Sequence, residues 1–401
     1  MKILHTADLH IGNRLHEQSQ AEEQQMTLDW MVDLVQKEEV DVVLVSGDVF
    51  DTAQPSGQSL KMYYKFLTDL VRTNCKKVVI TGGNHDGASV LNAPKELLSF
   101  LDVTVVGKIS DNPAEEVFEF DINGEKVVIA AVPFLRDQDI RKATSGQHFE
   151  NIGDRFKEAL IEHYQEVGKV CEEKSDDQTL VIGMGHLFAI GGETSTSESE
   201  RNVYVGGLGD IGADDFPKIF DYIALGHLHR AQKVKYDQIR YSGSPYILSF
   251  SEIHHKKEVV ILSSENKKFT LEHVSVPVFR TIKKIKTNLE DCLLQLTSMA
   301  SLNHQLTPWV EVVITHSKPG DNPIYDIYKH IEELNIEVLK IGIHKELEHK
   351  KIERVPLKEL ENLTPEETFL ELCQLRNLNL EEDPKMKDAF YEIYNKVKER
   401  T

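Results

Sequence analysis

The sequence is poor in cysteine and has no long apolar run. Four cysteines lie far apart, at Cys75, Cys171, Cys292 and Cys373, and no two of them form a Cys-x-x-Cys pair. This usage fits a reducing compartment and excludes a zinc site built from cysteines. The longest apolar runs reach about six residues, whereas a helix that spans a membrane needs about 20.

The N-terminal stretch lacks the apolar segment of a signal peptide, because His5 and Asp8 interrupt it early. Together with the missing membrane helix, this predicts a cytoplasmic protein that does not cross a membrane. The length of 401 residues suggests two or three domains and allows a large core.

Positive charge is scarce as well. Lys and Arg total 46 against 66 Asp and Glu, which gives a formal net charge of −20. Proteins that bind nucleic acid over a whole surface need extended basic patches, so this balance argues against that class. A locally positive site remains compatible with the sequence, since bound divalent metals add charge that a residue count omits.

The first 275 residues alternate short apolar runs with amphipathic stretches. Such runs are typical of strands buried on both faces, and the stretches between them are typical of crossover helices. The pattern therefore predicts an α/β fold with strands packed between helices. The predicted strands are Lys2–Thr6, Val40–Val45, Lys77–Ile80, Val127–Ala131, Thr179–Met184 and Asp221–Leu225, and the predicted helices lie near 20–38, 57–73 and 90–101.

A second region begins after Val276, where Pro277 breaks the pattern. A shorter alternation of strand and helix follows and predicts a small second domain over residues 276–350. Thr287 and Glu290 form a predicted capping box at the start of its first helix. Its predicted strands span 279–286, 309–315 and 337–343, and its predicted helices lie near 289–301 and 324–334.

Residues 351–401 are highly charged and carry helix signals. Thr364 is a predicted N-cap followed by Pro365 at the first helical position, and a last helix is predicted near 385–399. The sequence leaves open whether these helices pack on their own protein or on a partner. Further back, the polar stretch 191–202 predicts a long mobile loop.

Polar side chains follow five of the predicted strands at the point where each strand ends. In four of the five, a glycine directly precedes the first such side chain and lets backbone and ligand approach closely. Ligand sites of open α/β sheets form at the carboxyl ends of the strands, so we expect these groups to converge. They are Asp8 and His10, then Asp48 and Asp51, then Asn84, His85 and Asp86, then His186, and finally His227 and His229.

Seven of these groups are metal donors of mixed type: two carboxylates, one amide oxygen and four imidazoles. Such a set suits Mn²⁺, Fe or Zn²⁺ better than Ca²⁺, which prefers oxygen alone. Seven ligands are too many for one tetrahedral ion but fit two ions that share a bridging carboxylate. The sequence leaves the native metal open. The predicted ligands are Asp8, His10, Asp48, Asn84, His186, His227 and His229.

The same motifs resemble a known family. Asp-x-His, Gly-Asp-x-x-Asp, Gly-Asn-His-Asp, Gly-His and Gly-His-x-His, in this order, are similar to the signature of the calcineurin-like metallophosphoesterases. Longer stretches resemble the SbcD exonuclease subunits, the bacterial branch of the double-strand-break repair nucleases. These stretches are ILHTADLHIG (3–12), VSGDVFDTAQPS (45–56), GGNHDGASVLN (82–92), VPFLR (132–136), DYIALGHLHRAQ (221–232) and YSGSPYILSFSE (241–252).

The resemblance is strong over the first 275 residues and weaker beyond them. It implies a metallophosphoesterase β-sandwich flanked by helices over residues 1–275. It further implies a small α+β capping domain over residues 276–350, which recognises DNA, and C-terminal helices over residues 351–401, which bind an ATPase partner.

The resemblance also assigns the site residues. It implies that Asp8, His10, Asp48 and His229 hold one metal ion, and that Asp48, Asn84, His186 and His227 hold the other, with Asp48 as the bridge. It implies that His85 stabilises the transition state or protonates the leaving oxygen, and that Asp86 fixes the His85 ring. A histidine is apt for this role because its pKa lies near working pH.

The activity implied by the resemblance is a metal-dependent DNA nuclease that prefers Mn²⁺. It would act as a 3′-to-5′ exonuclease on duplex ends and as an endonuclease on hairpins, in DNA recombination, replication and repair. The implied partner is an SbcC-type ATPase with a long coiled coil, in an assembly of two nuclease and two ATPase subunits. The dimer contact would use the helices near 57–73 and 90–101.

Two other functions use the same residues. A phosphatase or cyclic-nucleotide phosphodiesterase would need the same catalytic groups, although the additional C-terminal residues and the long matching stretches argue against it. A non-enzymatic adaptor would keep the metals but would not need His85. If DNA is the substrate, the candidate phosphate contacts are Arg136 and Arg230, and with them Arg141, Lys142 and Lys233.

Three further patterns predict no function. Gly207, Gly209 and Gly212 match a dinucleotide-binding fingerprint, but no suitable helix follows, so we interpret the match as chance. The stretch 254–257, His-His-Lys-Lys, is predicted to be a solvated turn. His5 lies inside the first strand and is predicted to be a core histidine.

Overall fold

The computed structural model of the chain describes residues 1–136, 152–189, 211–315 and 322–344, together with positions 139, 369, 373, 390, 391 and 394. The chain divides into two compact units, Met1–Ile343 and His344–Thr401. In the second unit, the rings of Phe369 and Phe390 stack with their centroids 4.2 Å apart. The predicted loop 191–202, Gly207 and Gly209, Arg141 and Lys142, and the predicted starts and ends of the C-terminal helices lie outside the described residues.

The first unit is built from short strands and flanking helices. Its strands are β1 (Lys2–Thr6), β2 (Arg14–Leu15), β3 (Gln18–Ser19), β4 (Val42–Ser46), β5 (Lys77–Thr81), β6 (Val103–Val106), β7 (Val117–Ile122), β8 (Glu125–Ala131), β9 (Leu180–His186), β10 (Tyr222–Gly226), β11 (Gln232–Val234), β12 (Tyr236–Tyr241), β13 (Glu258–Glu265), β14 (Lys268–Ser275), β15 (Arg280–Thr287), β16 (Leu306–Thr315) and β17 (Glu337–His344). Its helices are α1 (Ala21–Lys37), α2 (Gly57–Val71), α3 (Ala88–Asn92), α4 (Lys95–Ser99), α5 (Ile152–Lys174), α6 (Leu289–Ala300) and α7 (Pro323–Ile331).

Two six-stranded sheets form the larger part of this unit. In the first sheet the strand order is β14-β13-β1-β4-β5-β6, and in the second it is β11-β12-β10-β9-β8-β7. Strands β1, β4, β5 and β6 are parallel to one another, as are β8, β9, β10 and β12. The carboxyl ends of the central strands of each sheet therefore lie along a common edge.

The two sheets pack face to face, and helices cover their outer faces. Val42 and Leu44 of β4 enter the apolar core between the sheets, whereas Val43 and Val45 pack outward against helices. This alternation follows from the two-residue period of a strand. Helices α1 and α2 cover the first sheet and α5 covers the second. The predicted α/β class, a β-sandwich flanked by helices, is confirmed.

The six strands predicted in the first 275 residues are all present, within two residues at either end. The predicted helix near 90–101 is wrong in one respect, because it is interrupted at Pro94 and forms the short helices α3 and α4. Proline lacks the backbone N–H that would continue the helix. The sequence pattern does not predict strands β6, β7 and β11 to β14.

A smaller three-stranded sheet of order β15-β16-β17 packs with α6 and α7. It matches the second strand–helix pattern of the sequence. Helix α6 is capped by Asn288, whose side chain accepts the Asp291 amide at 3.0 Å, so the predicted cap at Thr287 is wrong by one residue. No helix within the described ranges is long and apolar enough to cross a lipid bilayer.

The small sheet is tied to the sandwich by a buried charged group. The Arg280 guanidinium at the start of β15 donates to Glu22 and Glu23 of α1 and lies over the Trp309 ring, 4.1 Å from its centroid. Leu15 and Phe250 of the sandwich share an apolar cluster with Trp309. Both regions therefore belong to one compact unit.

Candidate metal centre

The carboxyl ends of five strands deliver the side chains that the sequence singled out. Strands β1, β4 and β5 of the first sheet meet β9 and β10 of the second at the same edge. Of the seven predicted ligands, Asn84 is half-buried and the other six are buried. The structure brings all seven together, in two clusters that share Asp48.

The first cluster consists of Asp8, His10 and His229. One potential ligand atom from each of these residues lies within 4.8 Å of the other two. The Asp48 carboxylate lies beside this cluster, with Oδ2 3.4 Å from His10 Nε2. Among the described residues, His10 Nε2 is buried without a hydrogen-bond partner. A buried nitrogen of this kind is costly unless a ligand binds it, so it fits a metal ion.

The second cluster consists of Asn84, His186 and His227. The Asn84 side-chain oxygen lies 2.9 Å from His186 Nε2 and 3.1 Å from His227 Nδ1. Asp48 Oδ2 lies 3.3 Å from His186 Nε2, so one carboxylate oxygen faces both clusters. Asp8, Asp48 and His186 also offer ligand atoms within 4.8 Å of one another.

Several of these side chains stand on unusual backbone. Asp8, His10, Asp48 and His227 have φ angles of 54°, 38°, 46° and 101°. A positive φ is uncommon for residues other than glycine and costs about 1–3 kcal/mol, so it persists where the surrounding structure enforces it. The strand ends are therefore bent to aim these side chains at a common point.

The glycines before the site residues leave room for that convergence. A Cβ added at Gly47 would lie 2.1 Å from His186 Nδ1, and one added at Gly83 would lie 2.1 Å from Asp48 Oδ1. A Cβ at Gly226 would meet the Ser46 carbonyl oxygen at 1.9 Å. These contacts explain in steric terms why glycine precedes the site residues.

The histidine rings are oriented by acceptors behind them. In the first cluster, His10 Nδ1 lies 3.1 Å from Asp51 Oδ1, and His229 Nδ1 lies 2.9 Å from Glu252 Oε1. In the second cluster, His186 Nδ1 lies 2.9 Å from the carbonyl oxygen of Ser46. Each contact places a proton on Nδ1 and turns Nε2 toward the centre.

Burial and neighbouring charge shift the pKa values of the centre. Burial would lower the pKa of His10, but hydrogen bonds to Asp48 and Asp51 hold it well above its usual value. Burial also opposes ionisation of Asp48, yet the charge of His186 and its hydrogen bonds bring the Asp48 pKa well below its usual value. Burial and then the charge of His186 lower the pKa of His227 to about 3. The field at His10 therefore favours positive charge, whereas His227 stays neutral.

His85 lies on the loop after β5, beside the first cluster. Its amide donates to Asp48 Oδ1 at 2.9 Å, and its Nδ1 lies 2.9 Å from the carbonyl oxygen of Asp51. The ring centroid is 4.7 Å from that of His10. The Asp51 carbonyl therefore orients the His85 ring, a role that the family resemblance implied for Asp86.

Asp86 braces the loop that carries His85. Its buried carboxylate accepts the amides of Val49 at 3.1 Å, Phe50 at 2.9 Å and Gly83 at 2.8 Å. Burial, and then the charge of Asp48, raises the Asp86 pKa to about 6. Asp86 thus joins the loop after β4 to the loop after β5.

Arg136, a predicted DNA contact, also supports this loop. Its guanidinium donates to the carbonyl oxygens of Asp86 at 2.5 Å and Gly83 at 3.4 Å. Arg230, the other predicted contact, is exposed next to His229. The contact of either residue with DNA stays a prediction.

The prediction for the stretch 254–257 is wrong for its last residue. The Lys257 ammonium is buried, donating to Glu252 Oε2 and Ser244 Oγ, each at 2.7 Å, and to the His229 carbonyl at 3.1 Å. The prediction for His5 is confirmed: it is buried, with Nδ1 2.9 Å from the Tyr222 hydroxyl.

Sequence reasoning missed Glu252 and Lys257 as parts of the site. The charge of Lys257, together with the hydrogen bond to His229, overcomes burial and lowers the Glu252 pKa to about 2. Glu252 closes the stretch YSGSPYILSFSE, which stands out in the sequence only through its resemblance to the family. A signal was therefore present, but no strand end or metal-ligand spacing marked it.

Comparison with known proteins gives matches over most of the chain. A family model described as calcineurin-like phosphoesterase matches residues 1–231, and a model described as the type 5 capsule protein repressor C-terminal domain, SbcD_C, matches residues 278–377. Relatives named as subunits of the nuclease SbcCD, of the SbcD kind, also match. The protein of Escherichia coli K12 is 31% identical over 97% of this chain and 97% of its own length. The protein of Rhodobacter capsulatus is 36% identical over 65% and 66%, and that of Bacillus subtilis is 31% identical over 66% of each.

Proposed function

Because this chain belongs to the calcineurin-like phosphoesterases, and within them to the SbcD nuclease subunits, we propose that it hydrolyses DNA phosphodiesters at the centre described above. It is a metal-dependent hydrolase of the SbcD type. The observation that carries the proposal is the position of Asp48 Oδ2, 3.4 Å from His10 Nε2 and 3.3 Å from His186 Nε2, where one carboxylate can bridge two ions.

The donor set fits two divalent cations. The first would be held by the first cluster and Asp48, and the second by the second cluster and Asp48. The mixture of carboxylate, amide and imidazole donors favours Mn²⁺ among the divalent ions. Bound there, the ions would activate water and neutralise the charge that develops on the phosphate.

His85 supplies the proton-transfer group in this proposal. Its Nδ1 faces a carbonyl oxygen, which only accepts, so Nδ1 carries a proton. The other ring nitrogen is then the one that can donate to the leaving oxygen. Asp86 and Arg136 hold the loop from behind, so the ring is positioned before substrate binds.

The substrate and reaction direction are proposed from the family. The activity would be 3′-to-5′ exonuclease on duplex ends and endonuclease on hairpins, in DNA repair, recombination and replication. With a net charge of −20, the chain alone should bind DNA weakly and with a steep dependence on salt. Arg230, exposed beside the centre, is the proposed phosphate contact.

Nuclease and phosphatase functions can be separated in one assay. The purified chain, alone and with a co-expressed SbcC-type ATPase, is supplied with Mn²⁺ and offered blunt duplex, hairpin DNA, cyclic nucleotides and a small phosphate monoester. We expect release of nucleotides from the duplex and cleavage of the hairpin. Hydrolysis of the small esters alone would overturn the nuclease proposal and favour the phosphatase.

We also propose a homodimer through α2 and the segment that follows α4. Leu97 and Phe100 are 68% and 86% exposed, and Tyr64 and Leu101 are exposed nearby in the same predicted contact. Large apolar side chains exposed together are typical of interaction surfaces. The double substitution Leu97→Glu and Phe100→Glu should shift sedimentation from dimer to monomer. The matched control is Val278→Glu, which changes an equally exposed apolar residue elsewhere.

The remaining regions take the roles implied by the family. Residues 276–350 would recognise DNA, and residues 351–401 would bind an SbcC-type coiled-coil ATPase in a two-plus-two assembly. The complex would act in the cytoplasm at the nucleoid. Deletion of residues 351–401 should abolish co-purification with the ATPase and leave Mn²⁺ binding intact.

A further inference from the structure

The two clusters of the metal centre differ in the groups behind their histidines. Both rings of the first cluster rest on carboxylates: His10 on Asp51 at 3.1 Å and His229 on Glu252 at 2.9 Å. In the second cluster, His186 rests on the neutral carbonyl oxygen of Ser46 at 2.9 Å. The difference is one of charge, because the hydrogen-bond lengths are similar.

The ligands themselves differ in the same direction. The first cluster contains the carboxylate of Asp8, whereas the second contains the neutral amide of Asn84 and two imidazoles. Asp48 faces both clusters and so adds equally to each. Counting direct and supporting groups, the first cluster has three carboxylates of its own and the second has none among the contacts described above.

Glu252 is built into this position. Its side chain is fully buried and accepts from Lys257 at 2.7 Å, from the Leu248 amide at 3.2 Å and from His229. Lys257 keeps the buried carboxylate ionised, although it also offsets part of its charge. A buried charge fixed on three sides cannot turn away from His229, so it holds that ring in one orientation.

We propose that the centre binds its two cations unequally, with the first cluster as the tight site and the second as the weak site, and that Glu252 and Asp51 are the positioning residues that create the difference. The inference rests on the proposed function, because it concerns the same metal centre. A carboxylate behind a metal-binding histidine raises the basicity of the ligand nitrogen and fixes its direction. Loss of such a group typically weakens metal binding by about 10–100-fold.

The test is a calorimetric Mn²⁺ titration of the metal-free, full-length chain, with electron paramagnetic resonance to follow the shift from single to spin-coupled ions. The wild-type protein should bind two ions, with affinities separated by at least about tenfold. Glu252→Gln and Asp51→Asn should each weaken the tight phase by about 10–100-fold and leave the weak phase unchanged.

The matched control is Glu116→Gln. Glu116 is fully buried and pairs with His163 at 2.8 Å outside the centre, so this change removes a similar carboxylate–histidine contact without touching a metal ligand. Both Mn²⁺ phases should be unchanged in this variant. If Glu252→Gln unfolds the protein because it leaves Lys257 unpaired, Asp51→Asn decides the question, since Asp51 does not contact Lys257 in the described hydrogen bonds.

The outcomes separate this inference from the function on which it rests. Two ions of equal affinity, a change in the weak phase alone, or an equal loss in the Glu116→Gln control would overturn the unequal sites and leave the two-metal nuclease standing. A wild-type chain that binds no Mn²⁺ would overturn both.

Discussion

The two clusters of the metal centre arise from the same kind of strand end, yet they differ in charge. The first cluster joins Asp8 to two histidines supported by carboxylates, and the second joins Asn84 to histidines with a neutral support at His186. From the ligands alone, two similar sites would be expected. The contrast indicates that the groups behind the ligands, which no metal-binding pattern in the sequence marks, decide how firmly each ion is held.

The largest effect should come from removing the group that the clusters share. Asp48→Ala should lower nuclease activity by roughly 10³-fold or more and impair binding of both ions, since the same carboxylate oxygen faces both clusters. The measurements are turnover on blunt duplex and the metal content by mass spectrometry. Asp237→Ala, at an exposed position, is the control. Normal occupancy of either site in Asp48→Ala would mean that Asp48 does not bridge.

His85 should act apart from both clusters. His85→Leu should lower activity by about 10²–10⁴-fold, because the leaving oxygen loses its proton donor. Both Mn²⁺ phases should keep their wild-type affinities in calorimetry. Surviving cleavage would refute the role of His85, and a lost phase would make it a metal ligand. His273→Leu, which changes a histidine on β14, should affect neither measurement.

The second cluster can be disturbed sterically through Gly47. Gly47→Ala places a Cβ 2.1 Å from His186 Nδ1 on backbone of φ +82°, so the unfolding free energy should fall by about 2–5 kcal/mol. The weak Mn²⁺ phase should suffer more than the tight one. The control is Gly124→Ala, with φ +85° and no atom within 4 Å, which should cost about 1–2 kcal/mol from strain alone. Equal losses in denaturant unfolding would show that contact with His186 is unimportant.

The smallest expected effect comes from making the two clusters more alike. Asn84→Asp gives the second cluster a carboxylate in place of its amide, at a position 2.9 Å from His186 Nε2. The weak Mn²⁺ affinity should rise about tenfold, or about 1.4 kcal/mol, and approach the tight one in calorimetry. Tightening of the other phase would mean that Asn84 belongs to the first cluster.

The strand ends of the centre could be predicted from the sequence because local rules govern them. Apolar runs such as Val42 to Val45 are buried on both faces, and the polar group that follows each must emerge at the carboxyl edge of a parallel sheet. Glycines such as Gly47 and Gly83 marked close approach, and the contacts that a Cβ would make there explain why.

The supporting groups could not be predicted by the same rules. Glu252 and Lys257 follow a loop rather than a strand, and their partner His229 lies more than 20 positions earlier. Lys257 sits in a stretch of two histidines and two lysines, which by composition alone indicates a solvated turn. Only the tertiary fold shows that its ammonium group is buried against a carboxylate.

The outer strands of the sandwich escape prediction for a different physical reason. Strands β7 and β14 alternate exposed and buried residues, so they lack the continuous apolar run that marks the central strands. A turn signal is nevertheless present: Asn123 and Gly124, with φ of 57° and 85°, join β7 to β8. An Asn-Gly pair between such strands is typical of a tight hairpin.

Anomalous X-ray diffraction from crystals of the full-length chain would decide whether these donors form one two-ion centre with unequal halves. Crystals with one equivalent of Mn²⁺ should show one peak, between Asp8, His10 and His229. Crystals in excess Mn²⁺ should gain a second peak between Asn84, His186 and His227. A first peak at the second cluster would refute the unequal halves, and peaks away from Asp48 would refute the shared centre itself.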